Sequence, residues 1–458
     1  MSQHNHLLRV LGLAFGLAAV VGGVIGQGIL RAPGVVAQAD SSAAVLLGLW
    51  LLGGVLSLAL ALPFAELGAA IPSAGGGMDY VGRAFGPVMR VAAAWLLLVA
   101  WVVAQAMVTY VLGEFLVRLG VGGGALSPAL LATGCLVLFF VLNAIGTRVA
   151  GSIQIGFAAL KGALLLGLVV ILFAQGPQAP GAVIAGSGSM SMAAEFAPGT
   201  VMAYATAIML IVGACNGWSA VVNYGEEIEN PGRQIPRALF GGIAAVTLLY
   251  LAVNAAMFHV LEPAALASST FAAADAAGNV FGDKGDLVFT AFGVISVGAI
   301  SNVMLMTTSR IAFATARAGI LPQRLAWVSA RGVPLPAMTL VALCSAGFIL
   351  SGTYLALAAS STSLHQGIFL AVTCAAIALR RKEPDLPRPY RIPAFPWVIG
   401  LVLAINLALM AVFVRRDPWN ALVGFAIVAG LTLISVLLPH RRWADADRTS
   451  ENPWTSPN

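Results

Sequence analysis

Lys161 is the residue whose chemistry sits worst with its neighbours. It stands between Ile155-Gly156-Phe157 and Leu164-Leu165-Leu166, about a dozen residues from either end of an apolar run. An ammonium at the centre of a bilayer costs about 2.5–3.5 kcal/mol on insertion scales, so such a lysine faces a partner or a wet cavity. Two further places depart from the apolar background. One is Gly22-Gly23-Val24-Ile25-Gly26-Gln27-Gly28, followed by Arg31 and Pro33-Gly34; the other is Gly213-Ala214-Cys215-Asn216-Gly217-Trp218. A glycine costs about 1 kcal/mol relative to alanine inside a helix, and several together favour unwinding. Unwound backbone at membrane depth is tolerated only where protein buries it or a wet cavity solvates it.

An unwound stretch creates helix ends, and helix ends carry charge. A half-helix restarting near Gln27 would offer free N–H groups and a positive dipole end to a carboxylate. A half-helix ending near Ala214 would offer carbonyl oxygens to an ammonium. A zwitterion satisfies both at once. The expected contacts to such a ligand are therefore Val24, Gly26, Gln27 and Gly28 on the first segment, and Gly213, Ala214, Cys215, Asn216 and Gly217 on the second. The competing reading is that the glycines are only contacts for close helix packing, as the G-x-x-x-G spacing of Gly22 and Gly26 allows.

The elements that would hold these residues are membrane helices. Of the 458 residues, 59% are hydrophobic and 9% charged, whereas soluble domains carry roughly 25% charged residues. The apolar residues fall into runs long enough to span a bilayer. The pattern predicts an all-α polytopic membrane protein of about twelve spans: 9–38, 43–70, 90–119, 127–145, 149–174, 200–224, 236–260, 287–312, 336–351, 357–379, 397–414 and 419–438. With the N-terminus inside, 18 of the 24 Lys and Arg fall on the inner side, and only Arg118, Lys284, Arg415 and Arg416 on the outer. That bias satisfies the positive-inside rule and places both termini in the cytoplasm. No cleavable signal peptide is expected, because the first apolar run is too long. The interrupted spans are the first and the sixth, five apart. Paired interruptions at corresponding places point to a transporter built from inverted repeats.

These segments resemble the amino acid–polyamine–organocation superfamily. Val24 to Gly34 resembles its first-helix motif. Gly217-Trp218, with Glu226-Glu227-Ile228-Glu229-Asn230-Pro231 and Ile235-Pro236-Arg237-Ala238, resembles its sixth helix and the following loop. Ala65-Glu66-Leu67-Gly68 through Gly75-Gly76-Gly77, Arg310 to Arg317, and Arg388-Pro389-Tyr390-Arg391-Ile392-Pro393 match further segments in order. The nearest branch is the L-type amino acid transporter-like one, with bacterial serine/threonine exchangers. The resemblance implies the leucine-transporter fold, with residues 9–174 and 200–379 as two inverted five-helix repeats. Residues 397–438 would add two helices, between an N-terminal segment 1–8 and a tail 440–458. It implies alternating access and neutral amino acid substrates, while the Leu/Ala/Arg-rich, lysine-poor composition points to a bacterial inner membrane. It also places Lys161 where related carriers bind sodium, tying the first break to polar groups of the eighth span. Ser296, Ser301 and Asn302 are the candidates there, and a proton is the candidate coupling ion.

The chain departs from that pattern in two places. Gly213 stands where many L-type relatives have an aromatic gate, which leaves Trp101, Tyr204 or Trp218 to gate. Gln27 stands where relatives often have serine. Gln105 and His365 are further polar residues at depth, read either as pocket residues or as helix–helix hydrogen bonds. Glu226, Glu227 and Glu229 are read as an inner gate, pairing with Arg83 or with arginines after the eighth span, or as a solvated loop. Central parts of spans one, three, six, eight and ten hold no acidic residue, which argues against a cationic substrate such as a polyamine. Cys135, Cys215, Cys344 and Cys374 all lie in apolar spans, where they read as small buried hydrophobes. No metal-ligand spacing, cofactor motif, nucleic-acid motif or P-loop lysine is present. The alternatives to a carrier are a polyamine or cationic amino acid permease, a channel, and a sensor that binds an amino acid without moving it.

Overall fold

The computed structural model describes residues 7–40, 42–174, 199–261, 266–267, 284–351, 354–416 and 418–437. The expected segment 1–8 up to residue 6, and the tail 440–458, lie outside the described residues. The regular structure among the described residues is helical, with no strand; the single isolated bridge joins Leu11 and Ile228. Fourteen α-helices lie among the described residues: α1 (Leu13–Val24), α2 (Gln27–Ala37), α3 (Ala43–Ala70), α4 (Gly77–Phe85), α5 (Pro87–Arg118), α6 (Pro128–Ala144) and α7 (Thr147–Ala174). They continue with α8 (Val201–Ala214), α9 (Pro231–Val260), α10 (Gly285–Arg317), α11 (Leu335–Ser351), α12 (Tyr354–Lys382), α13 (Phe395–Arg416) and α14 (Pro418–Leu437). Nine described helical stretches are long and apolar enough to cross a membrane, and α1, α6 and α11 are shorter apolar helices.

Local sequence explains where these helices begin. Ser127 Oγ accepts from Leu130 N at 3.3 Å, and Pro128 fills the first turn of α6, where its missing N–H leaves nothing unpaired. Thr200 Oγ1 accepts from Ala203 N at 3.2 Å to start α8. Pro231 begins α9. One helix was not foreseen: α4 forms where Gly75-Gly76-Gly77 reads as loop. It packs against α5 and α12, burying Met78, Tyr80 and Val81.

Placement in the bundle does not follow hydropathy. The apolar windows of α5 and α14 share a mean hydropathy of 2.2, yet 72% of the first is buried and 17% of the second. α5 packs against α6, α10 and α12, so neighbours surround it; α14 touches α5, α12 and α13 and presents the rest of its surface to the lipid. α1 lies against α7 and α9, α2 against α8, and α3 against α8 and α9. α1 and α2, which carry the first glycine-rich segment, are thereby packed against α7, α8 and α9.

Candidate substrate site

Both interruptions are real breaks. α1 stops at Val24, Ile25 and Gly26 take extended conformations, and α2 restarts at Gln27 with no side-chain cap on its first turn. The side chains of Gln27 and Arg31 lie outside the described ones. α8 stops at Ala214, and a 3-10 helix runs from Trp218 to Tyr224. Gly217 joins them at φ 115°, in the left-handed region that favours glycine.

The breaks touch each other directly. A Cβ on Gly217 would run into the backbone of Gly23, and a Cβ on Gly28 would lie 2.7 Å from Ala214 Cα. Close backbone approach therefore requires glycine at these positions. Most of the carbonyls exposed by the breaks already have partners. Asn216 N donates to Gly213 O at 3.2 Å, and Gly217 N to Asn216 Oδ1 at 2.7 Å. The Tyr250 hydroxyl of α9 reaches Val24 O at 3.0 Å and Ala214 O at 3.3 Å, the last residues of α1 and α8. Tyr250 thus bridges the two broken helices. A tyrosine within an apolar span was the only signal of this in the sequence.

Lys161 is fully buried on α7. Its Nζ donates to Gly22 O at 2.6 Å and Ile25 O at 2.5 Å, capping the carbonyl end of α1. Ser296 Oγ of α10 approaches the same Ile25 oxygen at 3.4 Å. The other two candidates on α10 are engaged elsewhere. Ser301 Oγ lies 2.7 Å from Thr109 Oγ1 and accepts from Gln105 Nε2 at 3.0 Å. Asn302 accepts from Asn143 Nδ2 at 2.8 Å and donates to Gln154 Oε1 at 3.0 Å. Gln154 stands seven residues before Lys161, two turns away on the same face of α7, a spacing that could have been read from the sequence.

The gate candidates separate in space. Trp218 packs edge-on to Phe64 of α3 and tilted against Phe369 of α12, at centroid distances of 5.3 and 5.0 Å. Trp101 of α5 lies 5.3 Å from the ring of His365. Tyr204, in the first turn of α8, donates to Asp40 Oδ2 beyond the end of α2, joining the two half-helices at the far side of the breaks. Gln105 makes helix–helix hydrogen bonds, yet its buried Oε1 has no partner. At Gly213 nothing lies within 4 Å of where a Cβ would be. A cavity of about 20 Å³ opens there. Ser57, Leu60, Gly213, Asn216, Gln366 and Phe413 are among the residues that line it.

The arginine-rich end of the bundle is sealed. Arg310 and Glu227 form a buried two-pronged pair at 2.7 and 2.8 Å. Glu226 pairs with Arg317, also on α10, and accepts from Ala74 N at 3.0 Å. Val10 N and Leu11 N donate to Glu227 O, and Glu229 N to Leu11 O, stitching the chain before α1 to the chain after the 3-10 helix. Arg83 bonds Glu383 instead of these glutamates. Glu66 of α3 is fully buried, takes two hydrogen bonds from Arg380 at 2.7 and 2.6 Å, and lies 3.3 Å from Arg388. Burial pushes the Arg388 guanidinium down from its ordinary value, and Glu66 opposes that shift. No group of metal-ligating side chains exists among the described residues.

Residues 8–437 match the amino acid permease family model. The chain is 26% identical over 444 residues to the serine/threonine exchanger SteT of Bacillus subtilis (strain 168), covering 95% of this chain and 97% of that protein. It is 26% identical over 459 residues to the mouse (Mus musculus) b(0,+)-type amino acid transporter 1, covering 97% and 91%. It is 28% identical over 440 residues to the rat (Rattus norvegicus) large neutral amino acids transporter small subunit 2, covering 92% and 79%.

Proposed function

The chain belongs to the amino acid permease family, and from that premise we propose that it carries small neutral amino acids across a bacterial inner membrane by alternating access, without sodium. It is a multi-pass membrane protein and a transporter rather than an enzyme. In the proposed architecture twelve spans form the leucine-transporter fold, with both termini cytoplasmic. α1 to α7 and α8 to α12 make the inverted repeats. The support is that the broken elements, α1–α2 and α8 with its 3-10 helix, open the two halves.

One observation carries the sodium-independent reading. The Lys161 ammonium sits on Gly22 O and Ile25 O, with Ser296 beside it. A cation is thus already fixed covalently where α1 ends, and it supplies the charge a bound sodium ion would supply. The α-carboxylate of the substrate goes to the uncapped first turn of α2, and its ammonium to the carbonyl end of α8. Moving between states requires the arginine-rich end to open. On the proposed topology that end is the inner one, and the Glu227–Arg310 and Glu226–Arg317 pairs are its closed gate.

A polyamine or cationic amino acid is disfavoured by the carboxylates. Glu66 and Glu227 are buried, but arginines already neutralise them. The test is uptake of labelled amino acids into proteoliposomes, with sodium replaced by choline and with unlabelled amino acid or buffer inside. Uptake that is equal in both salts and accelerated by internal amino acid supports an exchanger. Dependence on sodium, or competition by putrescine stronger than by any neutral amino acid, would overturn the reading. Saturable binding without any uptake would indicate a sensor.

A further inference from the structure

We propose that the arginine-rich start of α9, with the loop before α13, binds the phosphate headgroup of an anionic phospholipid, and that an acyl chain follows the apolar face of α9. Arg233 and Arg237 are exposed and stand four residues apart on one face of α9, with no hydrogen bond or ion pair among the described residues. Like charges at that spacing repel each other, and a bound phosphate removes the repulsion. Arg391, also exposed and unpaired, belongs to a loop that rests on the same turns. Pro389 Cγ would lie 2.8 Å from a Cβ on Gly232, and the Tyr390 ring lies 5.2 Å from that of Phe240. Ile392 N donates to Glu66 Oε2 at 2.8 Å, which fixes the loop against α3. Several acids at this end are already occupied: Glu66 by Arg380 and Arg388, Glu226 by Arg317, Glu227 by Arg310 and Glu383 by Arg83. Glu229 and Asp385 are exposed, and neither bonds any of the three free arginines.

Depth and amphipathy select a lipid over a soluble anion. α9 has 30 residues, about 45 Å at the helical rise, against a hydrocarbon core of about 30 Å. Its arginine end therefore reaches the headgroup layer. Trp397, 83% exposed in the first turn of α13, marks the same layer at the far end of the loop, where exposed tryptophan concentrates. Past Arg237 the same face of α9 continues through Phe240, Ala244 and Leu248, at helical spacing. Leu248 is 68% exposed. The face thus turns from cationic to apolar along its length, as a phospholipid turns from phosphate to chain. An acidic peptide or a nucleic acid matches only the cationic half. Basic clusters of this kind at the cytoplasmic side recognise anionic headgroups, and on the topology proposed above this is the inner leaflet. The site itself does not depend on what the protein carries.

The test is a titration of the full chain, stripped of lipid in detergent, with phosphatidylglycerol or phosphatidylcholine, counting bound lipid by native mass spectrometry. Two variants are compared with the wild type: Arg233→Gln combined with Arg237→Gln, and Arg415→Gln, which removes an exposed arginine at the opposite end of α13. The wild type should bind phosphatidylglycerol more tightly than phosphatidylcholine. The double variant should bind phosphatidylglycerol about thirtyfold more weakly, roughly a factor of five for each arginine, and Arg415→Gln should match the wild type. Equal affinity in the wild type and the double variant, equal affinity for the two lipids, or an equal loss in Arg415→Gln overturns the site. Displacement of phosphatidylglycerol by inorganic phosphate or polyglutamate at equal concentration overturns the lipid assignment. Should the double variant fail to purify as a monodisperse protein, Arg391→Gln decides, with an expected loss of about fivefold. Because binding is read without any transport, failure here leaves the transport reading standing.

Discussion

Replacing Lys161 by alanine separates a structural lysine from a working one. The side chain makes two charge-assisted hydrogen bonds, to Gly22 O and Ile25 O. Bonds to charged groups contribute about 1.5–3 kcal/mol each, so about 3–6 kcal/mol is lost with the ammonium. Against this, alanine removes the cost of holding a lysine at membrane depth, about 2.5–3.5 kcal/mol on insertion scales. The two largely offset each other, and the net destabilisation is about 0–3 kcal/mol. The variant should therefore fold, with a modestly lowered thermal midpoint in detergent. Transport should respond much more, because the carbonyl end of α1 loses the cation that orients it beside the substrate. Counterflow in proteoliposomes is expected to fall about a hundredfold. Lys161→Arg should not rescue it, since a planar guanidinium cannot reproduce a point ammonium placed between two carbonyls. Retention of more than half the wild-type rate by Lys161→Ala would refute the reasoning. So would a fall in rate fully explained by loss of folded protein.

Other outcomes follow from the same geometry. Tyr250→Phe removes the hydroxyl that joins Val24 O to Ala214 O; about 0.5–1.5 kcal/mol of stability should go, and counterflow should slow roughly tenfold, read from proteoliposome kinetics beside a melting curve. Glu227→Gln leaves Arg310 buried without its charge partner and should cost about 3–5 kcal/mol, visible as loss of monodisperse protein on gel filtration; the double change Glu227→Met with Arg310→Met should recover much of it. Gly217→Ala meets both a left-handed backbone, worth about 1–3 kcal/mol of strain, and the Gly23 backbone, and should abolish counterflow where Gly12→Ala, which has open space, does not.

What could be read from the chain itself was whatever is set locally or by the membrane. Helices were legible because each must satisfy its own backbone hydrogen bonds in lipid, so long apolar runs leave no other choice. The breaks at residues 25–26 and 215–217 were legible because glycine in and around them weakens the helix. Lys161 stood out because a buried ammonium demands partners wherever it is. The tertiary structure alone decided who those partners are. Ser296, rather than Ser301 or Asn302, shares Ile25 O with the lysine, because successive residues of a helix point about 100° apart and only packing sets which of them faces α1. Packing likewise made α5 a core helix and α14 a lipid-facing one at the same hydropathy, since lipid and protein interior are equally apolar neighbours. It also brought Tyr250 of α9 to both breaks. Distances between segments far apart in the chain come from how helices cross, and no local pattern of residues carries that information.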